Sequence, residues 1–180
     1  DSIMALFPAE PEAALRASIA TLRRLREGGH RDGPVDRPHE NGAPIQIGIG
    51  LHTGSLMLGI VGERKRAQGD IFSDAVNLAN RIEGLSKLYG VSVVVSEQML
   101  AGLPNASQYH QRFLGKTQVK GKEQSVSVYE IYDGETEEVI DLKLKTKDDF
   151  EKGLQHYFAK DFTQASVSFQ SVLNTYPGDK

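Results

Sequence analysis

Two side chains in one short stretch have the types and the spacing to bind an anion. Residues 70–81 read DIFSDAVNLANR, and apolar positions spaced by three and four predict a helix that opens on a carboxylate. Asn77 and Arg81 lie four positions apart, so both project from one face of that helix. An amide beside a forked cation suits an oxygen-rich anion such as phosphate. The same spacing is typical of an amphipathic surface helix with a solvated arginine, so spacing alone leaves both interpretations open.

The sequence around this helix resembles a known enzyme family. A glycine turn and three cations precede the helix in residues 62–66, GERKR. The block GIGLHTGSLMLGIVGERKRAQGDIFSDAVNLANRIEG, residues 48–84, resembles the second half of a class III nucleotidyl cyclase catalytic domain. DSIMALFP, residues 1–8, resembles the strand after the family's metal-binding Gly-Asp, and VKGKEQSVSVYEI, residues 119–131, resembles its late lysine hairpin. The resemblance covers residues 1–135, with the motifs in the family's order.

This resemblance implies a reaction and its cofactors. In these cyclases the ribose 3′-oxygen of a nucleoside triphosphate attacks the α-phosphorus, pyrophosphate leaves, and a 3′,5′-cyclic nucleotide forms. Two carboxylates hold two divalent cations, Mg²⁺ or Mn²⁺, which prefer oxygen ligands. Asp1 matches the second of those carboxylates, whereas the first would lie upstream of this chain. The other interpretation of Asp1 is a solvated terminal residue.

The choice of base depends on Asp70, which matches the family's base-selecting position. A carboxylate accepts a hydrogen bond from the exocyclic amine of adenine, whereas guanine offers a carbonyl acceptor there. Asp70 therefore favours ATP, so the resemblance implies an adenylyl cyclase. The family's partner lysine for this task would lie upstream, which leaves a guanylyl cyclase as an alternative. An N-terminal cap of the following helix is the other interpretation of Asp70.

The resemblance also assigns the residues around the phosphates and the ribose. Asn77 matches the amide that positions the ribose, and Arg81 matches the cation that meets charge developing on the α-phosphate. Lys120 matches the lysine expected on the β- and γ-phosphates, with Lys122 as the fallback. Ser73 stands where many members have glycine, and a small residue is expected to be tolerated there.

The basic loop before the helix supplies further candidates for the triphosphate. Its cations are Arg64, Lys65 and Arg66, and one residue of ambiguity in loop length leaves the choice among them open. Arg66 and Arg64 are the nucleotide-binding candidates that we carry forward.

The resemblance implies an assembly as well. In this family the metal carboxylates of one subunit face the Asn/Arg helix of the other, so we expect a homodimer with two composite active sites. We expect the isolated chain to be inactive, because its 180 residues include neither the first metal ligand nor the adenine-contacting lysine. The expected context is a multidomain signalling protein with an upstream sensor domain. The alternative is a catalytically inactive module that binds nucleotide or only dimerises.

Apolar patterning predicts the elements that position these residues. Strands are predicted at residues 2–7, 45–51, 56–61, 91–95, 109–114 and 126–132, and a helix with a stripe of Leu15, Ile19, Leu22 and Leu25 follows the first of them. Gly48 and Gly50 leave one face of the second strand bare, so a helix, a partner chain or a ligand is expected to approach it. The fold class is mixed α/β (α+β), with a mainly antiparallel sheet. This agrees with the family's ferredoxin-like βαββαβ core, truncated at its N-terminus.

The last segment has a different character. Thr146 and Asp149 resemble a capping box, and apolar residues follow at helical spacing. We therefore divide the chain into a cyclase domain (1–135), a linker (136–145) and a tetratricopeptide-like helical hairpin (146–180). One such hairpin cannot bury its apolar face alone, so it is expected to dock on the cyclase core, a second chain or further repeats.

Composition excludes several classes of function. The net charge of −3 argues against indiscriminate nucleic-acid binding, and the absence of cysteine excludes disulfides and thiolate metal sites. No apolar run approaches the ~20 residues that span a bilayer, so we expect a cytoplasmic domain. His30 and His39 lie in a loop rich in Gly and Pro and are expected to be solvated rather than metal ligands. His52 is expected to be a hydrogen-bonded turn residue, because no nucleophile accompanies it.

Overall fold

A four-stranded sheet carries the helices of this protein. The computed structural model describes residues 2–8, 10–27, 46–61, 68–118 and 125–179, with the backbone alone at 57–61 and 68–72. The strands are Ile49–Leu51 (β1), Met57–Val61 (β2), Gln68–Phe72 (β3), Val93–Ser96 (β4), Gln111–Gln118 (β5) and Ser125–Ile131 (β6). The α-helices are Pro11–Glu27 (α1), Asp74–Tyr89 (α2), Glu97–Ala101 (α3), Glu137–Phe158 (α4) and Phe162–Thr175 (α5), and a 3₁₀ turn lies at Ala106–Gln108.

The strand order confirms the predicted fold class. The main sheet runs β1-β4-β6-β5, in which β1 and β4 are parallel and the other two pairs are antiparallel. The strands β2 and β3 form a separate antiparallel hairpin. The fold is therefore mixed α+β with a mainly antiparallel sheet, and the one parallel pair is a detail that the sequence analysis did not predict.

The core lies on both faces of the central strand β4. Val93 and Val95 pack with α1 and α3, whereas Val94 packs on the opposite face with α2. All three side chains are fully buried, and a continuous apolar run of this kind is typical of a strand that is buried on both faces. Burial of such side chains on both sides contributes about 1.5–3 kcal/mol each and fixes where the helices sit.

Glycine in β1 allows α2 to lie directly on the sheet. A Cβ added at Gly50 would lie 2.2 Å from the backbone nitrogen of Glu83 and 2.5 Å from the carbonyl oxygen of Ala79. A Cβ at Gly48 would lie 1.9 Å from the Ser86 hydroxyl oxygen. Among the three possible neighbours of the bare glycine face, the structure places a helix there.

The helix that carries Asn77 and Arg81 begins later than the sequence analysis predicted. Asp70 lies in β3, with its Cα opposite that of Gly59, so the prediction of a helix opening at residue 70 is wrong. The helix α2 begins at Asp74 and its N-cap is Ser73, so the alternative that Asp70 caps the helix is also wrong. At the other end, Gly90 adopts φ 64° and ends α2, because glycine reaches the left-handed region without steric cost.

The predicted strand at residues 2–7 is not formed. These residues have no regular secondary structure, and Ile3 is 98% exposed. A strand is stable only when its backbone pairs with a neighbour, and none of the described strands pairs with this segment. The strand predicted from residue 45 is also shorter than expected, since β1 spans Ile49–Leu51.

The C-terminal hairpin is present, but its first helix starts earlier than predicted. The helix α4 begins at Glu137, so residues 137–145 are helical where a linker was expected. Thr136 caps this helix through its side chain, which accepts from the Val139 nitrogen. Thr146 is buried within the helix and donates to the Leu142 carbonyl oxygen at 2.9 Å, so the predicted capping box is wrong. The resemblance of the hairpin to a tetratricopeptide unit stays a prediction.

Candidate functional site

The helix α2 presents Asn77 and Arg81 on an accessible face. Leu78 and Ile82 are buried against the sheet, and this fixes the rotation of the helix about its axis. Asn77 and Arg81 each precede one of these anchors by one position, so they point away from the core and are exposed. Neither side chain is buried in the apolar interior of the protein.

Arg81 joins α2 to the end of strand β5. Its Nη1 donates a hydrogen bond to the backbone carbonyl oxygen of Gln118, the last residue of β5. Residues 119–124 follow Gln118 directly, and they contain Lys120. The guanidinium of Arg81 therefore lies at the last described residue before the segment that contains Lys120.

Ser73 fixes the N-terminal end of α2. Its hydroxyl oxygen accepts a hydrogen bond from the Ala75 nitrogen at 3.0 Å and donates one to the Ser55 carbonyl oxygen at 2.6 Å. The Asn77 nitrogen donates to the Ser73 carbonyl oxygen at 3.3 Å, which closes the first turn. The sequence analysis treated Ser73 only as a tolerated small residue, although a serine just before a helical run signals an N-cap.

Several of the predicted site residues lie outside the part of the chain that the structure describes. Asp1, Arg64, Arg66 and Lys120 lie outside the described residues, as do His30 and His39. For Asp70 the structure places the backbone three positions before the cap of α2, and its side chain is not described. The roles assigned to these residues stay predictions.

Comparison with known proteins decides the family. The family described as "Adenylate and Guanylate cyclase catalytic domain" matches residues 31–132, which include the whole of α2 and the strands beside it. The chain belongs to this family. The exposed face of α2 lies in the matched region, whereas α4 and α5 follow that region in the chain.

Relatives of this cyclase domain are longer than the chain. The chain is 30% identical to "Adenylate cyclase, terminal-differentiation specific" of Dictyostelium discoideum over 186 residues, covering 100% of the chain and 8% of that protein. It is 36% identical to "Adenylate cyclase" of Anabaena cylindrica over 134 residues, covering 73% of the chain and 26% of that protein. The chain thus spans about a quarter or less of these curated relatives.

A solved structure supports the cyclase fold. The crystal structure of a guanylyl cyclase superposes with a TM-score of 0.52 at 20% identity, covering 72% of this chain and 61% of that one. At this identity the likeness establishes the fold alone.

His52 belongs to the framework of the domain. Its Nδ1 lies 2.8 Å from the Ser96 hydroxyl oxygen, and Ser96 caps α3 by accepting from the Met99 nitrogen at 3.2 Å. Burial lowers the pKa of the His52 imidazole. This agrees with the expectation of a hydrogen-bonded turn residue and ties the end of β1 to α3.

A buried charge cluster connects the sheet to the C-terminal hairpin. Its members are Arg112, Glu130, Lys143 and Asp179, and all of them are nearly inaccessible to solvent. Burial alone would lower the pKa of Arg112, but the carboxylates of Asp179 and Glu130 raise it above its ordinary value. The sequence analysis missed this cluster. A signal was available, because Glu130 shares the period-two face of Val126 and Val128, where a carboxylate needs a cation.

Two features are absent from the described residues. The part of the chain that the structure describes has no group of three or more His, Cys, Asp or Glu side chains able to hold a metal ion. Within those same residues, no helix has the length and apolar character needed to cross a membrane.

Proposed function

We propose that this domain converts ATP to 3′,5′-cyclic AMP and pyrophosphate. The ribose 3′-hydroxyl oxygen would form a bond to the α-phosphorus and lose its proton to water, as the bond from that phosphorus to the pyrophosphate oxygen breaks. The observation that carries the proposal is the exposed pair Asn77 and Arg81 on α2, with Arg81 hydrogen-bonded to Gln118, two positions before Lys120 in the chain.

Each of these groups suits one part of the reaction. The guanidinium of Arg81 would meet the charge that develops on the α-phosphate, and a preorganised cation lowers the barrier by a few kcal/mol. The amide of Asn77, one turn earlier on the same face, would hold the ribose. Lys120, with Arg64 and Arg66, would neutralise the β- and γ-phosphates.

Asp70 supports ATP over GTP. Its carboxylate would accept from the adenine amine, and both curated relatives described above are named adenylate cyclases. A guanylyl cyclase is the second candidate, because "Retinal guanylyl cyclase 2" of Homo sapiens is 35% identical over 85 residues, covering 47% of this chain and 7% of that protein.

The proposal includes two divalent cations, Mg²⁺ or Mn²⁺, because Asp1 matches a metal-binding carboxylate of the family. When bound, such cations neutralise the triphosphate and activate the 3′-oxygen. The described residues supply no ligand set for them, and Asp1 lies outside those residues. No step is therefore assigned to a metal here.

The proposal includes an assembly. We infer a homodimer with composite sites, because in this family the metal carboxylates and the Asn/Arg helix of one site come from different subunits. A cytoplasmic catalytic unit at residues 1–135, under the control of an upstream sensor domain, completes the proposal. By itself the chain of 180 residues is expected to form little or no cyclic nucleotide with Mg²⁺ or Mn²⁺.

The test is product formation by the full-length protein from ATP and from GTP, followed by chromatography. We expect cyclic AMP as the main product, and Asp70→Asn should lower the ATP-to-GTP ratio of kcat/KM by about tenfold or more. Asp141→Asn, at an exposed aspartate on α4, is the matched control. Cyclic GMP as the main product would establish the second candidate. Nucleotide binding without turnover would establish an inactive module.

A further inference from the structure

The hydroxyl of Ser73 does more than cap a helix. An N-cap needs only an acceptor, and the Ser73 oxygen provides it to the Ala75 nitrogen at 3.0 Å. The same hydroxyl also donates its proton to the carbonyl oxygen of Ser55 at 2.6 Å. This second hydrogen bond links α2 to the loop that follows β1, 18 positions earlier in the chain.

That loop is itself anchored to the framework. His52 contacts the Ser96 hydroxyl at 2.8 Å, and Thr53 donates to the Met99 sulfur at 3.2 Å. Ser96 and Met99 are buried at the junction of β4 and α3. Ser55 therefore lies in a segment that is hydrogen-bonded to the core. The hydrogen bond from Ser73 to Ser55 connects α2 to that segment.

The functional face of α2 is thus held at two places. Ser73 fixes the N-terminal end, one turn before Asn77, whose own nitrogen bonds the Ser73 carbonyl oxygen at 3.3 Å. Arg81 is held at the Gln118 carbonyl oxygen, two turns along the helix. Leu78 and Ile82 hold the middle of α2 on the sheet. Loss of the Ser73 bond would therefore free mainly the first turn of the helix and change the separation of Asn77 from any bound nucleotide.

We propose that Ser73 is a positioning residue for the nucleotide site. Its hydroxyl proton, bonded to the Ser55 carbonyl oxygen, sets the angle of α2 so that Asn77 and Arg81 act on one substrate. Ser73 itself touches no reacting atom in this proposal, which rests on the proposed cyclase function.

Three variants separate the link to Ser55 from the cap. Ser73→Ala removes both hydrogen bonds, Ser73→Gly removes the link but leaves a residue that N-cap positions accept well, and Ser73→Thr keeps the hydroxyl. The melting temperature is expected to fall clearly for Ser73→Ala and little for Ser73→Gly or Ser73→Thr. The glycine variant then isolates the effect of the hydrogen bond to Ser55, because it is expected to lack that bond while keeping nearly the wild-type melting temperature.

Turnover by the full-length protein is the first readout. In Ser73→Ala and Ser73→Gly, kcat should fall about 10- to 100-fold while KM for ATP changes much less, because a small misplacement of catalytic groups has such an effect on rate. Ser73→Thr should keep wild-type kcat. Wild-type kcat in Ser73→Gly would overturn the proposal, and so would loss of activity in Ser73→Thr with an unchanged melting temperature.

Amide hydrogen exchange on this chain is a second readout that needs no activity. In Ser73→Gly the amides in the first turns of α2, including Asn77, should exchange faster, whereas those of β4 should not change. If the full-length protein makes no cyclic nucleotide, the proposed function fails and exchange still decides whether the link orders α2. Unchanged exchange in the glycine variant would overturn the positioning role.

Discussion

The guanidinium of Arg112 forms a bidentate ion pair with the carboxylate of Asp179. Nη1 lies 2.5 Å from Oδ2 and Nη2 lies 2.6 Å from Oδ1, although the residues are 67 positions apart. Both side chains are buried, and Arg112 also donates through Nε to Glu130 at 2.6 Å. Glu130 in turn accepts from Lys143 on α4. Strands β5 and β6 are thereby ion-paired to α4 and to the segment after α5.

We predict that Asp179→Asn destabilises the whole chain, because Arg112 would be left with a buried and incompletely compensated charge. The free energy of unfolding should fall by about 3–5 kcal/mol, measured by urea denaturation. Arg16→Ala is the control, since Arg16 pairs with Glu12 at an exposed site, and a change of at most about 1 kcal/mol is expected there. A loss below that of the control would contradict the prediction.

Arg81→Lys should reduce turnover of the full-length protein about tenfold or more. Lysine keeps the charge, but it lacks the planar fork that can contact both the Gln118 carbonyl oxygen and a phosphate. The measurement is kcat with ATP as substrate. Arg24→Lys, the same change at an exposed arginine of α1, should leave kcat unaltered. Equal rates for the two variants would remove Arg81 from the proposed site.

Asn77→Ala should lower kcat/KM for ATP without destabilising the protein. The side chain is exposed, so its truncation leaves no cavity, whereas loss of the proposed ribose contact lowers transition-state binding. Asn80→Ala is a matched control on the same helix, because Asn80 is also exposed. The two variants should have the same melting temperature, and the prediction is wrong if their kinetic constants also agree.

Gly50→Ala and Gly84→Ala should change stability in opposite directions. The added methyl group at Gly50 would meet the backbone of α2 at 2.2 Å, and such overpacking costs about 1–3 kcal/mol. At Gly84 nothing lies within 4 Å, so alanine should stabilise α2 by about 0.5–1 kcal/mol. Thermal unfolding of both variants is the measurement. Stabilisation by Gly50→Ala would show that α2 does not lie against β1 as described.

His52 should make stability depend on pH. Burial lowers the pKa of its imidazole below the ordinary value of 6.5, so the unfolded state takes up a proton before the folded state does. The contribution of His52 is present above pH 6.5 and is lost as the pH falls through the lowered pKa. His52→Asn, followed by urea denaturation at several pH values, should give a flatter profile in that range. His156→Asn on α4 is the control, and an unchanged slope in His52→Asn would refute the prediction.

Some local features followed directly from neighbouring residues. The apolar residues 91–95 predicted a strand, and the structure confirms it as β4. Gly90 ends α2 in the left-handed conformation, where glycine is the typical residue. Such signals are short in range, because the conformation of glycine and the periodicity of apolar residues depend on a few adjacent positions.

The errors have a physical cause in common. Residues 2–7 have the composition of a strand, but composition cannot supply the pairing partner that a strand needs. Thr146 and Asp149 have the spacing of a capping box, yet Thr146 is buried within α4, which starts at Glu137. In both places tertiary packing outweighed a local preference.

By itself the sequence determined the exposed face of α2 and the family motifs around it, because residues four apart on a helix have a fixed spatial relation. Only the tertiary structure decided what that helix is attached to. Arg81 meets Gln118 and Ser73 meets Ser55 across 37 and 18 positions. Hydrogen bonds between such distant residues form only once the elements have packed. Possible donors and backbone carbonyl acceptors occur in every part of the chain, so the sequence does not indicate which of them will meet.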